Sequence, residues 1–245
     1  MSFNQKISLD FQCDHYRVRT ISSVEDLAQV LALRQECFPL LKQSDLEFDL
    51  NADHIIVEDL NTQTLCGAYR IASSTFTSDF QTREDFQITE FLKIPEVKAE
   101  LAWACIHPDY RNGSAIALLW RGITSYLKQI DAKYVFGTTS VNEMSPDRLS
   151  RIQEVLRENN CVYQDFPVKP VSPKTEDPMM NRSSSCSRYE GKSLRVLPAL
   201  LRAYIFAGAF VCATPNFDFD LNCYDFMTII DMDNSADQIA AHFGA

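Results

Sequence analysis

The sequence predicts an α/β (α+β) protein, and three stretches of the chain carry that prediction. Residues 101–106 form an uninterrupted apolar run, and Pro108 cannot extend a strand ladder, so a buried strand should end there. Residues 114–130 repeat apolar side chains at spacings of three and four, which is typical of a helix that packs on a sheet. Residues 54–58 and 64–71 have the composition of two strands joined by a short turn, which predicts an antiparallel hairpin.

The turn between the central strand and the central helix is the first candidate binding site. It runs from His107 to Gly113; Gly113 can adopt a positive φ, and Ser114 is a residue type suited to cap a helix. The first backbone N–H groups of a helix attract anions, and Arg111 adds positive charge beside them. The pattern indicates a phosphate or pyrophosphate site, although an ordinary capped helix explains the same residues.

Local signals predict the remaining elements. Residues 16–21 alternate like a first strand, and Ser22-Ser-Val-Glu25 is a capping box for a helix that Pro39 ends. Ser145 and Pro146 predict the start of another helix. The later predictions are a surface loop, a helix, a strand and a short terminal helix, at residues 165–193, 197–207, 224–231 and after 234. We expect one domain over residues 1–245, with a flexible loop at 165–193 and a C-terminal extension at 197–245.

Composition and charge exclude several classes of function. A formal net charge of −10 argues against general nucleic-acid binding, which needs clustered Lys and Arg. The N-terminus is too polar for a secretory signal, and the most apolar segment, residues 197–213, is interrupted by Arg202. The eight cysteines include no C-x-x-C pair and no histidine at ligand spacing. We therefore expect reduced, mostly buried thiols and no metal site.

Several short motifs occur in a characteristic order. Glu100 opens the central strand, and Gly67-Ala-Tyr-Arg70 lies in the second strand of the hairpin. The others are Pro108-Asp-Tyr-Arg111, Leu119-Trp-Arg-Gly122, Phe136-Gly-Thr-Thr-Ser140, and the segments at 197–204 and 225–231. In this order they resemble the GNAT superfamily, and within it the branch that uses acyl carrier protein: ornithine-lipid N-acyltransferases, long-chain N-acyl amino acid synthases and, more distantly, acyl-homoserine-lactone synthases. The resemblance implies a GNAT-like mixed, mostly antiparallel central sheet flanked by helices.

The resemblance also implies a reaction, in which an amine attacks an acyl thioester directly and no acyl-enzyme forms. Glu100 is then the expected catalytic base, directly or through one water, while a purely structural pairing with Arg34 or Arg70 is the alternative. No cofactor is expected to be tightly bound, because the acyl-phosphopantetheine thioester, on acyl carrier protein or CoA, is a co-substrate. The expected donor-binding residues are Trp103, Cys105, Ile106, Arg111, Asn112, Gly113, Ser114 and Ala115.

A set of charged and polar residues is expected either to bind the acceptor or to form a structural charge network. Its members are Arg34, Asp45, Asp49, Arg70 and Ser140. Trp103 departs from the branch, which often has an arginine three residues after the glutamate, so the charge network around Glu100 is expected to differ. His54 and His107 are expected to have structural roles.

The implied partners are an acyl carrier protein and a small amine or amino-acid acceptor, and no nucleic acid. Carrier proteins are acidic, as is this chain, so docking requires a local basic patch, expected at Arg121, Lys128 and Lys133 beside Arg111. The expected enzyme transfers a long-chain acyl group to an amino acid such as ornithine. It would work in the cytoplasm, with peripheral association with the inner membrane left open, and its product can partition into membrane. The alternatives are a homoserine-lactone synthase, an acyl-CoA-dependent N-acyltransferase and a non-catalytic module that binds carrier protein or lipid.

Overall fold

The structure is a computed structural model that describes residues 3–39, 46–142, 145–163, 167–172, 194–212, 214–219 and 221–243. The chain separates into two compact units, which are described in turn. The first contains Met1–Gln81, Glu96–Phe136 and Met232–Ala245, and the second contains Thr82–Pro95 and Gly137–Asp231. That the chain acts as a single domain stays a prediction.

Twelve strands and seven helices lie in the described residues. The strands are β1 (Asp10–Cys13), β2 (Tyr16–Thr20), β3 (Asp53–Asp59), β4 (Thr64–Ser73), β5 (Phe86–Gln87), β6 (Lys98–Ile106), β7 (Tyr134–Val141), β8 (Val162–Tyr163), β9 (Lys169–Pro170), β10 (Phe210–Cys212), β11 (Asn216–Asp218) and β12 (Cys223–Asp231). The helices are α1 (Val24–Cys37), α2 (Leu46–Asn51), α3 (Thr89–Leu92), α4 (Ser114–Gln129), α5 (Pro146–Glu158), α6 (Ala199–Phe206) and α7 (Met232–Phe243).

The sheet of the first unit is mixed and mostly antiparallel, with helices on both faces. Strands β1, β2, β3, β4 and β6 pair antiparallel in that order, and the start of β7 adds a parallel pairing to β6. On one face Ile56 and Ala68 pack with the apolar side of α1. On the other face Ile55 lies against α4. The predicted fold class, the hairpin and the strand–turn–helix–strand unit are confirmed.

Gly122 explains how closely α4 approaches the sheet. A Cβ atom at this position would lie 2.9 Å from side-chain atoms of both Ile55 and Val18, which is too close for carbon atoms. A glycine within a helix costs about 1 kcal/mol relative to alanine. The closer helix–sheet packing offsets that cost.

A β-bulge interrupts the pairing of β4 with β6 at Trp103. Ala68 pairs with Cys105 and Arg70 with Ala102, so Trp103 and Ala104 lie together opposite Tyr69. Trp103 has a φ of 56°, a left-handed conformation that is strained for a bulky side chain. On its other edge β6 pairs with β7 only from Lys98 to Glu100. The bulge therefore lies in the part of β6 beyond the β7 ladder.

The second unit has its own strands and apolar cluster. Its strand order is β7, β12, β10 and β8, with β11 paired to β12 and a separate two-stranded ladder between β5 and β9. Leu149, Ile152, Val155 and Leu156, the predicted stripe of α5, are buried in this cluster with the apolar residues of α6. The predicted helices α5 and α6 and the late strand β12 are confirmed.

Two helix starts differ from the sequence predictions by one residue. The cap of α1 is Ser23, whose hydroxyl accepts from the Asp26 N–H, while the Asp26 carboxylate accepts from the Ser22 N–H; the predicted box began at Ser22. The N-cap of α4 is Gly113, at a φ of 98°, and Ser114 is the first helical residue. In both cases two adjacent residues have similar capping chemistry, and the backbone φ and ψ angles determine which of them is the N-cap.

The predicted loop at 165–193 falls mostly outside the described residues; within it, Lys169–Pro170 forms β9. The terminal helix is longer than expected and begins at Met232, directly after β12. Of the helices that the structure describes, none has the length and apolar character needed to cross a lipid bilayer.

Candidate active site

A buried ion-pair network in the first unit is centred on Asp49, a residue of α2. Arg34, near the end of α1, donates two parallel hydrogen bonds to the Asp49 carboxylate, at 2.8 and 2.7 Å. Arg70 of β4 contacts the same carboxylate at 3.4 Å. All three side chains are buried. Burial alone would raise the pKa of Asp49, but the hydrogen bonds and charge of Arg34 outweigh it and lower that pKa.

Glu100 joins the network through Arg70. The Glu100 carboxylate lies 3.7 Å from an Arg70 guanidinium nitrogen and accepts a hydrogen bond from the Gln81 backbone N–H at 3.2 Å. The Gln81 side-chain oxygen also accepts from Arg70. Glu100 is 2% exposed. The pairing with Arg70, which was the structural alternative to a catalytic role for Glu100, is therefore present. Gln81 was not predicted to belong to the site.

His54 lies beneath the network as a neutral side chain. It is fully buried on β3, and burial lowers its pKa to about 4. Its Nε2 lies 3.0 Å from the Asp49 carbonyl oxygen, which can only accept, so Nε2 carries the proton. Among the described side chains of the network, the formal charges of two carboxylates and two guanidiniums balance, and the imidazole is neutral. This contact agrees with the structural role that the sequence suggested for His54.

The Trp103 side chain packs against the Arg34 end of the network. The Arg34 guanidinium carbon lies 4.7 Å from the centre of the Trp103 ring, and Phe38 packs edge-on against the same ring at 5.7 Å. A tryptophan face stabilises a cation without adding charge. Three buried nitrogens around the network have no hydrogen-bond partner among the described residues: Arg34 Nε, Trp103 Nε1 and His54 Nδ1.

The predicted acceptor set is only partly brought together. Arg34, Asp49 and Arg70 are in contact, whereas Asp45 lies outside the described residues. Ser140 belongs to the second unit, where its hydroxyl donates to Asp225 at 2.6 Å.

The turn before α4 is held in place by its own side chains. Tyr110 donates to Asp59 at 3.0 Å, and Arg111 Nε donates to the Ile106 carbonyl oxygen at 3.2 Å. The Ser114 N–H donates to the Asn112 side chain at 3.0 Å, so the expected anion donor at Ser114 already has an acceptor. Helix α4 has no side-chain cap at Gly113 and no acidic residue in its first turn. Its N-terminal dipole is therefore available to an anion.

Two of the expected donor-binding residues on β6, Cys105 and Ile106, have different environments. Cys105 is buried, and Ile106 is half-buried with its carbonyl oxygen contacted by Arg111 and by the Cys37 thiol at 3.5 Å. Cys37 is half-buried and was not singled out from the sequence. A hydrogen bond with Cys105, together with the charge of Arg111, lowers the pKa of Cys37 to about 6.

The expected docking residues are spread along α4. Arg121 lies in its second turn, against the Phe11 ring, and Lys128 is exposed in its last turn. Lys133 follows the helix and forms an ion pair with Asp233. The helix advances about 1.5 Å per residue, so Arg121 is much nearer than Lys128 to the turn at Gly113.

One group in the second unit offers ligand atoms of the kind that bind metal ions. Atoms of Asp218, Cys223 and Asp225 lie within 4.8 Å of one another. Burial raises the pKa of Asp225 and raises that of the Cys223 thiol to about 12, so both favour the protonated form that binds metal poorly. The Ser140 hydroxyl also uses one Asp225 oxygen.

Comparison with known proteins agrees with this architecture. Residues 42–121 match the family model described as Acetyltransferase (GNAT) domain. An L-ornithine N(alpha)-acyltransferase of Rhodobacter capsulatus is 23% identical over 76% of this chain and 73% of its own length. A protein of the same name from Brucella abortus is 21% identical over 88% of this chain and 80% of its own length.

Among solved structures, FeeM, an N-acyl amino acid synthase from uncultured soil microbes, superposes with a TM-score of 0.55. The alignment covers 91% of this chain and 94% of that one at 8% identity, so this likeness concerns the fold alone. The resemblance first drawn from short motifs is confirmed by the family match and the curated relatives.

Asp49→Asn should destabilise the protein by about 3–5 kcal/mol, because it leaves two buried guanidiniums without their shared carboxylate. Urea unfolding at neutral pH measures the free energy of unfolding. The control is Asp10→Asn, which removes a surface pair with Arg17 and should cost less than about 1 kcal/mol. Equal losses for the two variants would show that the network contributes no more than a surface ion pair.

The neutral state of His54 predicts a specific loss of stability in acid. Its pKa is about 4 when folded against an ordinary 6.5, so between these values the unfolded chain binds a proton that the folded chain does not. Stability from this group is complete above pH ~6.5 and falls as the pH drops towards 4. His54→Gln keeps a donor for the Asp49 carbonyl and does not titrate. Between pH 7 and 5 the wild type should lose about 2 kcal/mol more than this variant in urea unfolding, and parallel curves would contradict the assignment.

Proposed function

We propose that this chain, an acyltransferase of the GNAT superfamily, moves a long-chain acyl group from acyl carrier protein to the amine of an amino acid such as ornithine. One observation carries the proposal: relatives named L-ornithine N(alpha)-acyltransferase match 76% and 88% of this chain. The product would be an N-acyl amino acid or lyso-ornithine lipid. Its acyl chain gives it affinity for a bilayer, at about 0.8 kcal/mol per buried methylene.

The phosphate of the phosphopantetheine donor would bind at the start of α4. The N-cap residue Gly113 supplies no side-chain acceptor and the first turn has no acidic residue, which favours a negatively charged ligand. Ala115 and Ile116 would supply backbone N–H groups, since the Ser114 N–H is engaged by Asn112. Arg111, exposed beside the turn, would add a charged donor.

The thioester would lie along the free edge of β6. Pairing with β7 ends at Glu100, so the N–H groups further along that edge of the strand are not used by that ladder. The bulge at Trp103 and Ala104 turns this part of the backbone out of regular register. Fixed N–H donors here would stabilise the negative charge that develops on the thioester oxygen.

The amine must lose a proton before or during attack, and Glu100 is the proposed acceptor of that proton. Attack forms the C–N bond, expulsion of the pantetheine thiolate breaks the C–S bond, and a proton returns to that sulfur. Arg70 and the Gln81 N–H hold the Glu100 carboxylate in place. Because the cluster is charge-balanced with Glu100 ionised, taking up a proton leaves it with one positive charge. The base must therefore release the proton before the next cycle.

Glu100→Gln should lower kcat by a factor of about 10²–10⁴, since it keeps the shape and the contact with Gln81 but removes the base. The measurement is N-acyl-ornithine formation by purified protein from a long-chain acyl carrier protein, followed by mass spectrometry. Glu90→Gln is the surface control.

Two results would contradict this account in different ways. A wild-type protein that forms no N-acyl amino acid from any proteinogenic amino acid or ornithine would refute the proposed activity. A Glu100→Gln variant with unchanged kcat would leave the activity standing and give Glu100 a structural role only.

Carrier-protein docking predicts a charge effect that depends on the donor. Arg121→Glu should raise the KM for acyl carrier protein roughly tenfold, because it places a like charge against an acidic partner. The KM for the matching acyl-CoA should change little. Lys128→Glu makes the same charge change about 10 Å further along α4. If the carrier protein docks near the turn, this variant should have the smaller effect on KM. Equal changes in KM for both donors would assign Arg121 to general donor binding, not to docking.

A further inference from the structure

The fold brings together two cysteines that are distant in sequence. Cys37 is the last residue of α1, and Cys105 lies near the end of β6. The Cys37 sulfur is 3.5 Å from the carbonyl oxygen of Ile106, the residue after Cys105, and Cys37 packs against the apolar cluster that contains Cys105. The two side chains therefore lie in the same region of the fold, where α1 packs on β6.

The two thiols have opposite environments. Cys37 is half-buried and open to small reagents, whereas Cys105 is 1% exposed and packs among the apolar residues of α1, β3 and β4. Arg111, whose Nε donates to the same Ile106 carbonyl, stabilises a thiolate at Cys37. The bond to Cys37 and burial raise the pKa of Cys105. Cys37 is therefore the thiol of the pair that is suited to react first with a reagent.

We propose that Cys37 and Cys105 form a redox-sensitive pair, in which peroxide oxidises Cys37 and Cys105 closes the disulfide. The Cys37 thiolate attacks one peroxide oxygen and the O–O bond breaks. This step leaves a sulfenic acid on Cys37 and releases hydroxide. The Cys105 sulfur then attacks the Cys37 sulfur, the S–O bond breaks, and the departing hydroxyl takes the Cys105 proton as water. Two thiols and one peroxide give one disulfide and two waters.

This modification does not rest on the proposed function. Oxidation would replace the anionic neighbour of Arg111 with a neutral disulfide and would link the end of α1 to β6. Both changes occur beside the turn at which the donor phosphate is proposed to bind. The chemistry of the thiols can therefore be measured whether or not the substrate assignment is correct.

The first test is peptide mapping of the folded, reduced protein after treatment with hydrogen peroxide. Free thiols are blocked with iodoacetamide, and the digest is analysed without reductant. We expect a reducible linked pair of peptides that contain Cys37 and Cys105. The pair should be absent in Cys37→Ser, and in Cys105→Ala a sulfenic acid on Cys37 should be trapped by dimedone. Cys66→Ser is the control, since this buried thiol has a pKa raised to about 11.

The second test is the pH dependence of Cys37 alkylation, compared with that of the half-buried thiol of Cys13. Cys37 should react with a midpoint near pH 6, and Arg111→Gln should move that midpoint upward by removing a stabilising charge. The proposal fails if Cys37 titrates like an ordinary thiol. It also fails if peroxide yields no Cys37–Cys105 peptide in folded protein, or yields it only after denaturation.

Discussion

The first unit is organised by the need to neutralise charges that are out of water. Asp49 and Glu100 are each almost fully buried, and an isolated carboxylate in that position would cost several kcal/mol. Arg34 and Arg70 supply the compensating charges from α1 and β4. The position of α1, the placement of α2 and the side-chain direction along β4 must all satisfy this balance. The same contacts fix the orientation of the Glu100 carboxylate, the group that we propose as the proton acceptor.

The elements with long apolar repeats could be predicted from the sequence, and the details at their ends could not. Helix α4 was readable because its buried face recurs over four turns, and the β3–β4 hairpin because two short strands flank a polar turn. The caps at Ser23 and Gly113 were each displaced by one residue, since neighbouring residues offer similar chemistry. Local sequence does not distinguish which of two adjacent residues has the helical φ and ψ.

Contacts between distant segments were the least visible. The link between Arg70 and Glu100 was expected from a resemblance, but Gln81 carries no pattern that would place its N–H on that carboxylate. The bulge at Trp103 could not be predicted, because residues 101–106 form an apolar run with no residue that indicates a bulge. The bulge nevertheless determines which residues of β6 pair with which residues of β4. Cys37 looked like one more scattered thiol, because nothing in sequence brings Arg111 and Cys105 to it.

The position of Arg70 also makes the charge network a check on strand register. Arg70 is paired with His54 on β3 and with Ala102 on β6. A slip of β4 by one residue would send its side chain to the opposite face of the sheet and bring an apolar neighbour into its place. Asp49 and Glu100 would then both lose a partner in the same misfolded arrangement. The carboxylate that we propose for proton transfer thus also disfavours misregistered strand pairings that backbone hydrogen bonds alone would tolerate.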